Sequence, residues 1–232
     1  MRLDDNGHGG PAGNDIGGGF DEGLGSSATE DLLLPPWERR ERFGFLNGLY
    51  LTIKDVLLTP GIFFRRMPSQ VGLGQPLLFT IVLGVVAALF AWMWSLAGSS
   101  LQALVAEDYG KIFTGPLFSF FAFLTSPLTV TIGVFIKAAL MHGVLTLVGG
   151  NRLGFEASFR VAAYSEAAGI LALVPICGSG VGLVWTLVVC VIGLRNIHDT
   201  DPWRAVVAVL APLLVCASFI GTSVFLFALG LD

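Results

Sequence analysis

Charge is scarce in this sequence. Only 13% of its 232 residues are Asp, Glu, Lys or Arg, against about 25% in an average soluble domain. Lysine is the scarcest of the four, with Lys54, Lys111 and Lys137 standing beside ten arginines. Seventeen of the 30 charged residues fall within positions 1–66, so the remaining 166 positions share 13. Apolar stretches of that length cannot hide in one small core, which excludes an ordinary soluble globule. Cysteine is scarce too. Cys177, Cys190 and Cys216 lie in or beside apolar runs, which excludes a disulfide-stapled secreted scaffold and leaves them as small packing residues. A net charge of −4 without a long basic run argues against nucleic acid as a partner. The sequence contains no Gly-x-Ser-x-Gly, His-Glu-x-x-His, Cys-x-x-Cys or Walker A motif, so nothing points to an enzyme or a cofactor.

What is present divides into three parts. Residues 1 to about 33 carry nine glycines within the first 27 positions, and seven acids against one arginine. The isolated Leu3, Ile16, Phe20 and Leu24 cannot repay the entropy of ordering, so residues 1–35 are expected to form a disordered cytoplasmic tail. The tail lacks the basic start and the apolar core of a signal peptide. Residues 36–68 read as an interfacial segment. Over 43–58, Leu46, Leu49, Tyr50, Ile53, Val56 and Leu57 fall on one side of a helix, and Thr59-Pro60-Gly61 ends it. A soluble amphipathic helix packed on another domain would show the same pattern, but the chain offers no such domain. Trp37, Arg39, Arg40, Phe63, Phe64, Arg65 and Arg66 are the residues suited to contact the membrane surface.

Residues 69–232 hold the apolar runs. With ~20 residues needed to cross ~30 Å of hydrocarbon, spans are expected at about 77–97, 127–149, 158–176, 179–195 and 203–229. The first ends in the interfacial pair Trp92 and Trp94, and a polar loop with Glu107, Asp108 and Lys111 follows it. Thr125-Ser126-Pro127 is expected to divide the run 117–149, leaving a kinked or re-entrant extension before the second span. The third and fourth spans form a hairpin about the breaker cluster at 175–180. The fold class is therefore all-α, a polytopic integral membrane bundle of five transmembrane helices with an N-terminal interfacial helix. With the N-terminus inside, 11 of the 13 basic residues are cytoplasmic, as expected for a cytoplasmic-membrane protein, and the C-terminus lies outside.

Three ionisable residues fall inside expected spans: Lys137, His142 and Glu166. Charge at membrane depth is costly and marks a candidate site when a partner can be named. Counted from span ends at 149 and 158, His142 and Glu166 lie roughly 10–12 Å deep, and Lys137 lies nearer ~18 Å. A His142–Glu166 hydrogen bond is expected, with Lys137 as a second partner for Glu166. Such a cluster serves either as a proton- or ion-linked site or as a polar clamp between helices. Asp199-Thr200-Asp201 beside His198 reads as a polar turn rather than a metal site.

The order of motifs resembles the Yip1 family of five-span membrane proteins, in its prokaryotic branch. The likeness begins at Pro36-Trp37-Glu38, continues through Leu58-Thr59-Pro60-Gly61-Ile62-Phe63-Phe64-Arg65-Arg66-Met67, and passes Gly74-Gln75-Pro76-Leu77-Leu78-Phe79. Its strongest part is Leu140-Met141-His142-Gly143-Val144-Leu145-Thr146-Leu147-Val148-Gly149-Gly150. Phe159-Arg160-Val161-Ala162-Ala163-Tyr164-Ser165, Val174-Pro175-Ile176-Cys177-Gly178 and Gly193-Leu194-Arg195-Asn196-Ile197-His198 complete it. Eukaryotic members carry Asp-Leu-Tyr-Gly-Pro before the first span, and their cytosolic N-termini engage Rab GTPases in vesicle formation. This chain has no such motif, so the resemblance does not extend Rab-type GTPase binding to it. Nor is there a cysteine before Cys177 to build the N-terminal zinc ribbon of some prokaryotic relatives. The resemblance implies a non-enzymatic membrane protein that shapes or organises the bilayer, or scaffolds other membrane proteins. A small transporter or channel subunit built on Lys137, His142 and Glu166 is the alternative.

Overall fold

Run length and apolarity decide which segments become the long helices. The computed structural model describes residues 34–68, 70–102, 116–174, 177–228 and 230. Nearly all of the expected disordered tail, the polar loop around Glu107, Asp108 and Lys111, and Pro175 and Ile176 of the hairpin turn lie outside the described residues. Three short helices come first: α1 (Arg40–Phe43), α2 (Phe45–Leu58) and α3 (Pro60–Arg66). They form a collar against the bundle. Next come α4 (Gly74–Gln102), α5 (Pro116–Leu147) and α6 (Phe155–Ser165), which runs directly into a 3₁₀ segment (Glu166–Leu173). Helices α7 (Gly178–Ile197) and α8 (Pro202–Ala228) close the described chain, and no strand occurs among the described residues.

Among the described residues four helices, α4, α5, α7 and α8, are long and apolar enough to cross a membrane. The expected third span, 158–176, is not one of them. It is an 11-residue α-helix followed by eight residues of 3₁₀ helix, and every residue from Ala157 to Ser165 is buried. A helix that faces lipid must be apolar outward, whereas the α-helical part of this arm is enclosed by its neighbours. Its small and polar residues (Ala157, Ser158, Ala162, Ala163, Ser165) suit close helix contact instead.

Pro127 does not divide the second run, contrary to expectation. Helix α5 continues through it for 32 residues. Proline removes the N–H that would bond the carbonyl four residues earlier, here that of Phe123. The Ser126 hydroxyl donates to that carbonyl at 2.7 Å, and Thr131 donates to the Pro127 carbonyl at 2.7 Å. The Ser126 hydroxyl thus takes over the work of the lost amide.

The collar is fastened by a string of aromatic contacts. Trp37 meets Phe79 at 5.8 Å between ring centroids, Phe79 meets Tyr164 at 5.1 Å, and Tyr164 meets Phe63 at 5.4 Å. Trp37, Phe63 and Phe64, expected at the membrane surface, are therefore buried in the core. They bury large apolar area where the collar meets the bundle, which outweighs the interfacial preference of aromatic rings. The Trp37 backbone N–H donates to Thr52 Oγ1, and its indole Nε1 donates to the Gln75 carbonyl, both at 2.9 Å. Of the four expected surface arginines, Arg65 and Arg66 are exposed, while Arg39 and Arg40 are half-buried.

Within α2 the inward face is Gly48, Thr52 and Val56, four residues apart. Gly48 is required there, because a Cβ would lie 3.0 Å from the Pro36 carbonyl oxygen. The outward face carries Leu46, Tyr50 and Leu58, with Leu46 75% and Leu58 70% exposed.

Candidate functional site

Helices α5 and α6 run antiparallel, so residues at equal distance from the connecting turn face one another. Helix α5 ends at Leu147 and α6 begins at Phe155, each a few residues off the ends expected from sequence. Measured from those ends, Lys137 lies ten residues in and Glu166 eleven, while His142 lies only five in. The register therefore pairs Lys137 with Glu166, and the expected His142–Glu166 bond does not form. Lys137 Nζ donates to Glu166 Oε1 at 2.7 Å, to Ser165 Oγ at 2.9 Å and to the Ala162 carbonyl at 3.4 Å. All three ammonium protons are thereby used. Cys190, on α7, donates from Sγ to the same Ser165 hydroxyl at 3.2 Å.

The pair is only partly covered, with side-chain exposures of 26% for Lys137 and 36% for Glu166. It lies on the wall of a cavity of about 480 Å³ whose lining includes Leu140, Thr186, Cys190, Leu213 and Cys216. A smaller hollow of about 90 Å³, bordered by Thr80, Gly84 and Val130, also touches Glu166. The carboxylate thus sits between two hollows, at the point where the α-helix gives way to 3₁₀ geometry.

His142 takes part in a different network. Its Nδ1 lies 3.1 Å from Ser158 Oγ, and the same hydroxyl is 3.0 Å from His198 Nε2. His198 Nδ1 accepts from the Arg152 and Leu153 backbone amides, both at 3.3 Å. Its proton therefore resides on Nε2 and points at Ser158. His198 is fully buried at the end of α7, and burial, aided by the nearby His142, pushes its pKa down to about 4. It stays neutral at ordinary pH. The adjoining turn is built by Asp199 in the left-handed region (φ 45°), with ion pairs Arg152–Asp199 at 3.4 Å and Arg204–Asp201 at 3.2 Å. Among the described residues no group of three His, Cys, Asp or Glu could hold a metal ion.

A third polar centre escapes sequence reasoning. Glu38, from the collar, accepts from Arg160 Nη2 and from the Tyr164 hydroxyl through the same oxygen, Oε1. Both charged side chains are buried, and Arg160 Nη1 donates to the Gly72 carbonyl at 3.2 Å. The neighbouring Val71 and Gly72 amides donate to Glu156 Oε1 at 2.6 and 2.5 Å. From sequence, Arg160 counts as a loop-flanking positive charge. Its position in the middle of a helix of small residues was the available signal that it needs a buried carboxylate.

A family model described as Yip1 domain matches residues 54–223. The chain belongs to the Yip1 family. No curated protein and no solved structure matches it. With its four apolar helices, it is an integral membrane protein of that family. The Yip1 domain match opens inside α2 and closes inside α8, so it contains Lys137, His142, Arg160, Tyr164, Glu166 and His198. Glu38 lies before it. The buried ion pair therefore joins the Yip1 domain to a segment outside the family match.

Proposed function

We propose that this Yip1-family protein is a non-enzymatic organiser of the membrane, acting through a collar that lies in one leaflet and is rigidly tied to the bundle. One observation carries the reading. Leu46, Tyr50, Leu58 and Ile62 expose apolar side chains along α2 and α3, on a segment fastened by the buried Glu38–Arg160 pair. An amphipathic helix wedged into a headgroup layer expands that leaflet, and rigid coupling to spanning helices prevents the wedge from floating free. The collar lies at the cytoplasmic face, in a bacterial cytoplasmic membrane, which is the side that the arginine distribution favours. The 155–173 arm serves as a fifth crossing. At the ordinary rises of α and 3₁₀ helices it extends about 32 Å, the thickness of the hydrocarbon layer. Its partners are lipids and other membrane proteins.

Reconstitution into vesicles of mixed diameter tests the wedge. The wild-type chain should be enriched per unit area on the smallest vesicles, and Leu46→Ser combined with Leu58→Ser should abolish that enrichment. Equal density on all diameters would remove the reading. The cavity beside Lys137 and Glu166 favours a second reading, a small transporter or channel subunit. It requires ion flux in proteoliposomes that Glu166→Gln abolishes, and absence of flux from the wild type ends it.

A further inference from the structure

Between the turn at 34–39 and the corner joining α2 to α3 lies a hollow of about 290 Å³. Arg39, Asp55, Thr59, Ile62, Phe63 and Arg66 are among the residues that line it. Two guanidinium groups against one carboxylate leave the wall positive. Among the described residues, neither arginine has an ion-pair partner. Three other arginines of this region have polar partners: Arg160 with Glu38, Arg40 with Gln75 Oε1 at 2.6 Å, and Arg65 with Asn196 Oδ1 at 3.2 Å. Arg39 Nε is buried with no acceptor, and its guanidinium rests 5.1 Å above the Phe43 ring. An anion in the hollow would pair with the two guanidinium groups that line it. The Thr59 hydroxyl is already spent on the Asp55 carbonyl at 3.2 Å. Burial raises the Asp55 carboxyl pKa above its ordinary value, against a smaller opposing effect of Lys54.

The surroundings choose between kinds of anion. Ile62 lines the hollow and is 53% exposed, and Leu58 one turn earlier is also exposed. A free anion gains nothing from this apolar surface. An amphiphile gains from both parts. We propose that the hollow bounded by Arg39 and Arg66 holds the phosphate of an anionic phospholipid, whose acyl chains lie along Ile62 and Leu58. The inference rests on the reading of the collar as membrane-seated. It adds a chemical selectivity to it: the collar takes hold of one class of lipid rather than any bilayer.

The test uses the full chain in nanodiscs of phosphatidylcholine containing phosphatidylglycerol, with lipid retention read by native mass spectrometry. The wild type should retain phosphatidylglycerol, and Arg39→Gln with Arg66→Gln should lower the retained fraction about tenfold. Arg42→Gln, at an exposed arginine outside the hollow, should leave retention unchanged. Should the double variant fail to fold, Arg66→Gln alone, at an exposed side chain, reads the same loss in smaller measure. Unchanged retention in the Arg39/Arg66 variants, or an equal loss from Arg42→Gln, overturns the proposal. So does release of the lipid by inorganic phosphate at constant ionic strength, which would assign the hollow to free phosphate. The seating of the collar is read separately, by the brominated-lipid quenching that a tryptophan introduced as Leu46→Trp, outside the hollow, adds to that of the wild type. No added quenching sinks the membrane-seated collar, whereas added quenching with unchanged retention sinks only the lipid site.

Discussion

Burying Glu38 and Arg160 together withdraws two opposite charges from water, and each is tolerable only while the other is present. Glu38→Ala should therefore cost about 3–5 kcal/mol, because it strands a buried guanidinium. Denaturant unfolding in detergent would show the loss, and replacing both residues with Met should recover most of it. A midpoint unchanged in Glu38→Ala would mean that the pair is not what fastens the collar. His198 gives a pH dependence of known sign. Its pKa in the fold is about 4, against about 6.5 in an unfolded chain. Between those values the unfolded chain binds the extra proton, so stability falls as pH drops from about 6.5 to about 4. Comparing His198→Asn with the wild type across that range isolates the slope, which the variant should lack. At this scale the sequence was informative about residue type and poor on partners. Lys137, His142 and Glu166 stood out because charge in an apolar run is expensive. The Lys137–Glu166 pair was legible, but the His142–Glu166 bond was misread, because ends misplaced by two or three residues shift an antiparallel register by a turn.

Helices α3 and α7 meet where Gly193 faces Phe64. A Cβ on Gly193 would lie 2.6 Å from Val161 Cγ1 and 3.1 Å from the Phe64 ring, both in a closely filled region. Gly193→Ala should cost about 1–3 kcal/mol through overpacking. It should also loosen α3, so that trypsin cleaves faster at the exposed Arg65 and Arg66. Cleavage at the wild-type rate would show that the contact yields without cost. The long elements were legible because ~20 apolar residues make a strong signal. Two features of the elements were not. Pro127 reads as a breaker unless one notices that Ser126 places a hydroxyl within reach of the freed carbonyl. Residues 158–176 read as a simple span because Ala and Gly count as apolar, although their small size serves contact between helices. The same ambiguity hid Trp37, Phe63 and Phe64, since aromatic residues beside arginines suit either a headgroup layer or a packed joint.

The whole molecule combines a four-helix apolar scaffold with an arm threaded through it and a collar strapped across one end. Reporter fusions test how it sits. If the arm crosses, an N-terminal and a C-terminal reporter should fall on opposite sides of the membrane. Reporters on the same side would reduce the crossings to four. This scale was the least legible from sequence, because the contacts that define it join residues far apart along the chain. Arg65 reaches Asn196 across 131 positions, and Glu38 reaches Arg160 across 122. That second separation has a consequence for synthesis. At roughly 5–20 residues per second, Arg160 is polymerised about 6–24 seconds after Glu38. The collar is made first and acquires its anchor last. Until α6 has been delivered, the collar's exposed apolar side chains and its unpaired carboxylate are left to whatever surface the nascent chain meets, and locking the collar becomes one of the final steps of assembly.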